Sequence, residues 1–599
     1  MHNLTVGNES YGYFQQSQFG GNFLFHRDQL TTQGGFQELA QDLGVEHLRY
    51  PGGSVTEEYF DITAPNKAST LDEKTGETVD LVPMSEFLET AHASGQSVTI
   101  VIPTKHYLYN GVDKNGDRYE DINTQDLSDF VEFLVSGSFG PVDIDAFEIG
   151  NEYWGSGQMS SVEYGRVASA VSKIIDDKLT EMSLNFPAAD DIDIVVQSGT
   201  NNNFSRLDIE YANRNSGKEI ISDIEEKYDI TLGDDYLYSS GEVNWMKVNN
   251  ALIREQFDEF EFEGVDGIAT HIYSKGGGNE VSRDFQLNLI KDTWQTENPE
   301  IQTSVTEWNL QSIPSLGRDE DYGLKNAAEL LEIMEEFSAH SVDLAHVWPL
   351  LQNTKNALGN GFEYEDLTPA GEMFKLMEEI LPNTRPIDLS GSARGQNELE
   401  LGDISVHTFA NSSQLSLFVA SKVEGVTSSE IDLSGLVAGQ QGIRIDILGV
   451  EEGDQPGSNK STATLETIGT AEANTEYLRG GILSVDLDSY EIMRVVIEDP
   501  IWTSEMETYL QNSTPDAPGE DYDPPSKPDV LIPNDGPDED DAPATTIGGL
   551  PAIAIEDANK VNFTEEKSEP ASSDDDGGMG FGLIAFAILP FLSLLSLGF

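Results

Sequence analysis

Cysteine is absent from all 599 residues. That removes disulfides, thiol nucleophiles and zinc–thiolate centres together. Cationic side chains are scarce: 33 Lys and Arg stand against 107 Asp and Glu, a formal net charge of -74. A chain this acidic is repelled by nucleic acid and by anionic membrane surfaces, so neither is an expected partner. The charge fits a solvated surface in salty surroundings, where screening relieves self-repulsion; many weak calcium sites are the alternative. The start, Met1-His2-Asn3-Leu4, has neither the basic nor the apolar stretch of a secretory signal. Long apolar runs are missing until Met579–Phe599, 21 residues without a charge. As a helix that run is about 30 Å long, enough to cross a bilayer, with Pro590 as a kink. It is expected to be a membrane-associated or sorting tail; a secretion signal or a segment buried against a partner are the alternatives.

What is present is alternation. Short apolar runs at Gly21–Phe25, His47–Tyr50, Ser97–Ile102, Ala146–Glu152, Ile192–Ser198, Gly267–Tyr273, Thr303–Glu307 and Leu344–Leu350 predict strands. Between and after them, Phe36–Leu43, Ser85–Ala93, Leu127–Leu134, Tyr164–Met182, Trp245–Phe260, Phe285–Trp294, Leu324–Phe337 and Met373–Leu381 have helical spacing. Eight strand-then-helix units predict an α/β fold, a (β/α)8 TIM barrel over residues 15–383. Runs such as TIVI and IVVQ are apolar throughout, as strands covered on both faces require. A doubly wound open sheet is the runner-up; it wants a Gly-rich phosphate turn after the first strand, which is missing. Residues 200–245 are polar and form an expected irregular insertion. From 384 to 500 short strands recur without helices, which predicts an antiparallel β-sandwich. Residues 501–578, rich in Pro and Asp, predict a disordered acidic linker ahead of the hydrophobic tail at 579–599.

Two strands end in carboxylates. Phe147-Glu148-Ile149-Gly150-Asn151-Glu152 places Glu152 at the end of the fourth, and Thr303-Ser304-Val305-Thr306-Glu307-Trp308-Asn309 places Glu307 at the end of the seventh. In such a barrel the C-terminal strand ends line the active site, and strands four and seven lie across its mouth. Hydrolysis of a glycosidic bond needs such a pair, one acid to protonate the leaving oxygen and one carboxylate to attack the sugar carbon. Capping of the following helix is the structural alternative for each. Asp113-Lys114-Asn115-Gly116-Asp117 opens like a calcium loop, but Arg118 stands where that loop needs Gly and no Glu follows at the twelfth position. It is simpler as a tight turn, and neither a metal nor a cofactor is expected.

Asn151-Glu152, Thr306-Glu307-Trp308-Asn309 and Arg49-Tyr50-Pro51-Gly52-Gly53, in this strand order and followed by a sandwich, resemble clan A of the retaining glycoside hydrolases. They are most similar to family 51, the arabinofuranosidase-like family, and to families 39 and 79. The resemblance spans about residues 15–500. It implies that Glu152 is the acid/base, that Glu307 is the nucleophile, and that Asn151 bonds the sugar 2-hydroxyl. Arg49 is expected to orient Glu307. His271 and Tyr273 are expected beside the nucleophile, and Trp348, Trp308 and His106 in the substrate pocket, with Trp154 as a further sugar platform. The long insertion, the acidity and the tail depart from the family pattern. The expected function is hydrolysis of a plant or algal oligo- or polysaccharide, outside the cell or at its surface. A non-catalytic carbohydrate-binding surface protein and a polysaccharide lyase are the alternatives.

Overall fold

The computed structural model describes residues 2–512, apart from 32, 215, 275–279, 313–320 and 392–397. The expected apolar tail at 579–599, and the linker from 513 onward, lie outside the described residues. Among the described residues no helix is long and apolar enough to cross a membrane.

Eight parallel strands close a barrel: β1 (Gly20–Asn22), β2 (His47–Tyr50), β3 (Ser97–Ile102), β4 (Asp143–Ile149), β5 (Asp193–Gln197), β6 (Gly267–Ser274), β7 (Gln302–Leu310) and β8 (Leu344–Val347). Each is followed by a helix: α1 (Phe36–Asp42), α2 (Met84–Ala93), α3 (Thr124–Val135), α4 (Ser161–Ser183), α5 (Trp245–Arg254), α6 (Glu280–Ile290), α7 (Leu324–Ala339) and α8 (Pro369–Glu378). The strands are apolar because both faces are covered: Val98, Ile100, Ile102, Phe147 and Ile149 are all fully buried. Helix starts carry local signals. Ser160 and Glu163 form a reciprocal capping box that launches α4, Asn123 caps α3, and Thr368 caps α8 ahead of Pro369. Along α4, Val167, Val171, Ile175 and Leu179 repeat every four residues and face the barrel core.

Three differences from expectation bear on the barrel mouth. β4 stops at Ile149, so Asn151 and Glu152 lie on the bend beyond it. β7 continues to Leu310, which leaves Glu307 inside the strand. The 200–245 insertion is partly regular: a helix at Gly217–Tyr228 packs Ile220, Ile221 and Ile224 against Val243, Val248 and Leu252.

The sandwich comprises β9 (Arg385–Leu389), β10 (Ile404–Ala410), β11 (Gln414–Ser421), β12 (Thr427–Asp432), β13 (Gly442–Val450), β14 (Ala463–Ile468), β15 (Ile482–Leu487) and β16 (Ile492–Glu498). Its larger sheet runs β9-β10-β11-β16-β13-β14, and the strand Val6–Ser10 pairs with the outer edge of β9. In the smaller sheet β12 pairs with β15, and His2–Asn3 adds a parallel strand to β12. The first residues of the chain therefore belong to the sandwich, although the sequence assigned them to neither domain. The sandwich also reaches past residue 500, into a helix at Ser504–Asn512 whose Met506 is buried in its core. This shortens the expected linker. Phe409 and Phe418 of the sandwich join the barrel core, Phe409 lying 5.6 Å from the Phe14 ring.

Candidate active site

The centre of the barrel mouth is built on Arg49, at the third position of β2 and fully buried. Its guanidinium makes five hydrogen bonds, one for each N–H. Nε and Nη2 grip Glu148 of β4 at 2.5 and 3.0 Å. Nη1 donates to Glu307 Oε1 at 2.9 Å and to Asn22 Oδ1 at 3.0 Å, and Nη2 also donates to Asn151 Oδ1 at 2.9 Å. The flanking carboxylates outweigh burial and hold the guanidinium charged.

Glu307 thus has a donor on each oxygen: Arg49 on Oε1, and the Tyr273 hydroxyl on Oε2 at 2.7 Å. Burial and the Glu307 charge push the Tyr273 phenol well above its ordinary value, so it remains a donor. A β-bulge breaks the β6–β7 register at Thr270/His271, and a second shift on β7 falls between Val305 and Trp308. The shift explains how neighbours Thr306 and Glu307 both face inward, Thr306 Oγ1 onto Glu148 at 3.0 Å and Glu307 onto Arg49.

Glu152 approaches from the other wall. Gly150 and Glu152 both have positive φ, 78° and 45°, so the chain turns sharply after β4. For a non-Gly residue that conformation is strained. Glu57 holds the turn in place. Its buried carboxylate accepts the backbone N–H of Asn151 at 2.9 Å, of Thr104 at 2.9 Å and of Lys105 at 2.7 Å. Burial raises the Glu57 carboxyl above its usual range, against the pull of these donors.

His271 lies between the carboxylates, with Nδ1 3.4 Å from Glu152 Oε1 and 3.6 Å from Glu307 Oε2. Burial opposes its charge, but Glu307 and Glu152 outweigh that and raise its pKa. Donor atoms of Glu152, His271 and Glu307 all lie within 4.8 Å of one another, the one such three-residue set of potential metal donors among the described residues. Arg49 already sets a fixed positive charge against Glu307, so the arrangement suits proton transfer and nucleophilic attack.

The structure brings together Glu152, Glu307, Asn151, Arg49, His271 and Tyr273. Trp348 is half-buried at the end of β8, above Gly53, where an added Cβ would stand 2.8 Å from its ring. Trp154 is buried edge-on to His271, with ring centroids 5.9 Å apart. Trp308 departs from expectation. It is fully buried against Phe337 and Phe374 and offers no face to a sugar. Strand alternation turns it outward, toward α7 and α8, when Glu307 faces in. His106 stands exposed on the turn after β3 and makes no hydrogen bond with the described residues. Sequence reasoning missed Glu148, Glu57 and Asn22. A charged residue inside an otherwise apolar strand was the available signal for Glu148.

The same fold occurs in solved structures. An arabinofuranosidase is 15% identical with a TM-score of 0.52, the match covering 83% of this chain and 100% of that one. A thermostable family 51 α-L-arabinofuranosidase from Thermotoga petrophila RKU-1 and AbfB, a family 51 α-L-arabinofuranosidase from Bifidobacterium longum, are each 14% identical. For both the TM-score is 0.52, with 83% of this chain and 100% of theirs covered. No protein-family model matches the sequence, and no curated protein does.

Proposed function

We propose that this protein is a retaining glycoside hydrolase that cleaves glycosidic bonds of a plant or algal glycan by double displacement. The observation that carries the reading is the spacing of two buried glutamates, whose facing oxygens lie within 4.8 Å across His271. A retaining pair stands about 5 Å apart, whereas an inverting pair leaves room for a water between them. The shared fold with arabinofuranosidases supports the same class.

In this reading Glu307 attacks the anomeric carbon while Glu152 protonates the leaving oxygen. Glu152 then removes a proton from the water that releases the glycosyl-enzyme. Arg49 and Tyr273 hold Glu307 in one rotamer, each donating a hydrogen bond to one of its oxygens. Asn151 is oriented by Arg49 on its oxygen and by Ser156 on its nitrogen, 3.3 Å away, and in this reading bonds the sugar 2-hydroxyl. The acidic composition and the apolar run at 579–599 fit a place outside the cell or at its surface.

The test is hydrolysis of a panel of aryl glycosides and of plant and marine polysaccharides by wild type, Glu307→Ala and Glu152→Ala. Both variants should lose activity, with azide restoring product formation by Glu307→Ala. Undiminished turnover in Glu307→Ala would sink the mechanism. Binding of a polysaccharide without any turnover by wild type would favour the non-catalytic reading.

A further inference from the structure

Two exposed aromatic rings stand on loops that follow strands on opposite sides of the barrel. Phe204 follows β5 and Phe362 follows β8; each is 45% exposed. About half of each ring remains in water, apolar surface that a bound sugar face can cover.

Phe204 is held rigidly. Its N–H donates to the Trp154 carbonyl at 3.3 Å. Ser205 beside it is buried, its hydroxyl accepting from Ser161 and its carbonyl from Asn249 Nδ2, each at 3.3 Å. Asn203 on its other side has a φ of 39°, a strained value for a residue with a Cβ. Trp154, which carries this turn, packs edge-on to His271 at the centre of the site. Gly155 lies between the two. A Cβ at Gly155 would stand 3.6 Å from Glu152 Oε2 and 3.8 Å from Asn203 Nδ2, so one bare glycine separates the acid from the Phe204 turn.

Across the mouth, the loop after β8 carries Phe362, and Arg27 of the loop after β1 stands 5.9 Å from its ring centroid. Trp348 precedes it on the same connection after β8 and stands over the bare backbone of Gly53. β4 and β5 are neighbours in the barrel and so are β8 and β1, and these two pairs are diametrically opposed.

We propose that Phe204 and Phe362 are sugar-stacking platforms for glycan units on the two sides of the scissile bond, so that the enzyme cuts within a polymeric chain. This deepens the glycosidase reading and rests on it. Glu152 protonates the leaving oxygen, so the departing portion lies on the β4–β5 side, over Gly155 and Phe204. The portion beyond the attacked sugar extends past Trp348 toward Phe362. Sugars present an apolar face that aromatic rings match, and two platforms with the carboxylates between them give subsites on both sides.

The test uses the full chain with arabinan, xylan, mixed-linkage β-glucan and agarose, together with glycosyl fluorides of their constituent sugars, which fill only the site between the carboxylates. Wild type should lower the viscosity of its polymer well before monosaccharide accumulates. Phe204→Ala and Phe362→Ala should each lower the polymer-to-fluoride ratio of kcat/KM by about 3- to 10-fold. Monosaccharide as the first and only product, or an unchanged ratio, overturns the proposal. Affinity electrophoresis of Glu307→Gln through gels holding the same polysaccharides reads the platforms without catalysis. Retardation that Phe204→Ala and Phe362→Ala reduce supports them even where wild type hydrolyses nothing, in which case the glycosidase reading alone has failed. Retardation equal with and without either ring overturns the platforms themselves.

Discussion

Replacing Arg49 by Lys preserves the charge and removes the fork. Arg49 spends five N–H donors on five acceptors in a fully buried setting. Lys has three donors on a single nitrogen, so at least two of the five bonds are lost. Hydrogen bonds to charged partners contribute roughly 1.5–3 kcal/mol each. The substitution should therefore lower stability by about 3–6 kcal/mol, a large part of the roughly 5–15 kcal/mol that holds a typical fold together. Urea unfolding followed by tryptophan fluorescence reads this directly. With a slope of about 3 kcal/mol per molar, the midpoint should fall by roughly 1–2 M. A midpoint within about 0.3 M of wild type would refute the reasoning, because the donor count would then not matter. A second arm separates the network from mere bulk. Arg49→Met strands Glu148 and Glu307 as buried anions, whereas Arg49→Met with Glu148→Leu removes one of those anions. The double variant should recover part of the loss, and strict additivity would show that Arg49 and Glu148 do not act as a pair.

Three further outcomes follow from the geometry. Glu57→Gln keeps one oxygen and turns its amide NH2 either toward the N–H groups of Thr104 and Lys105 or toward that of Asn151; stability should fall by about 1–3 kcal/mol, and kcat should drop more than KM rises as Glu152 loses its fixed position. His407 of β10 meets Glu335 of α7 at 2.9 Å between sandwich and barrel, and although burial opposes its charge, Glu335 and Glu398 raise its pKa. Its stabilisation is complete below about pH 6.5 and is lost as pH rises through the raised value, so melting temperature should decline on the alkaline side, and His407→Gln should flatten that decline. Gly53→Ala adds a Cβ 2.8 Å from the Trp348 ring at a φ of 54°; it should cost about 1–3 kcal/mol and shift the tryptophan emission.

The barrel was legible because its strands are buried on both faces and its helices have one apolar side, so each element carries its own periodicity. β2 and β3 have the expected bounds, and Arg49, Glu152 and Glu307 stood out as polar residues beside apolar runs. Other features were hidden for physical reasons. Val6-Gly7-Asn8-Glu9-Ser10 has no apolar alternation, since it is an edge strand defined by its partner β9. Trp308 follows a carboxylate at which tryptophan suggests sugar stacking, but past Glu307 the strand alternates again and sends the indole to the opposite face, into the core. Glu57 belongs to a short helix after Gly53, and only the folded chain brings it beneath the backbone of two other loops.

The pairing of Val6–Ser10 with β9 has a consequence for how the chain assembles. Ser10 lies opposite Ile387, so 377 residues (387 minus 10) separate partners in one ladder. Joining them in an unfolded chain carries a closure entropy of roughly 5 kcal/mol. A completed barrel removes most of that expense by holding Phe14 and Asn383 together, the Asn383 N–H donating to the Phe14 carbonyl at 2.9 Å. The sandwich edge is therefore a late event in folding. It is also an early one in rupture, since a pull on the first residues peels this strand before any barrel strand feels the load.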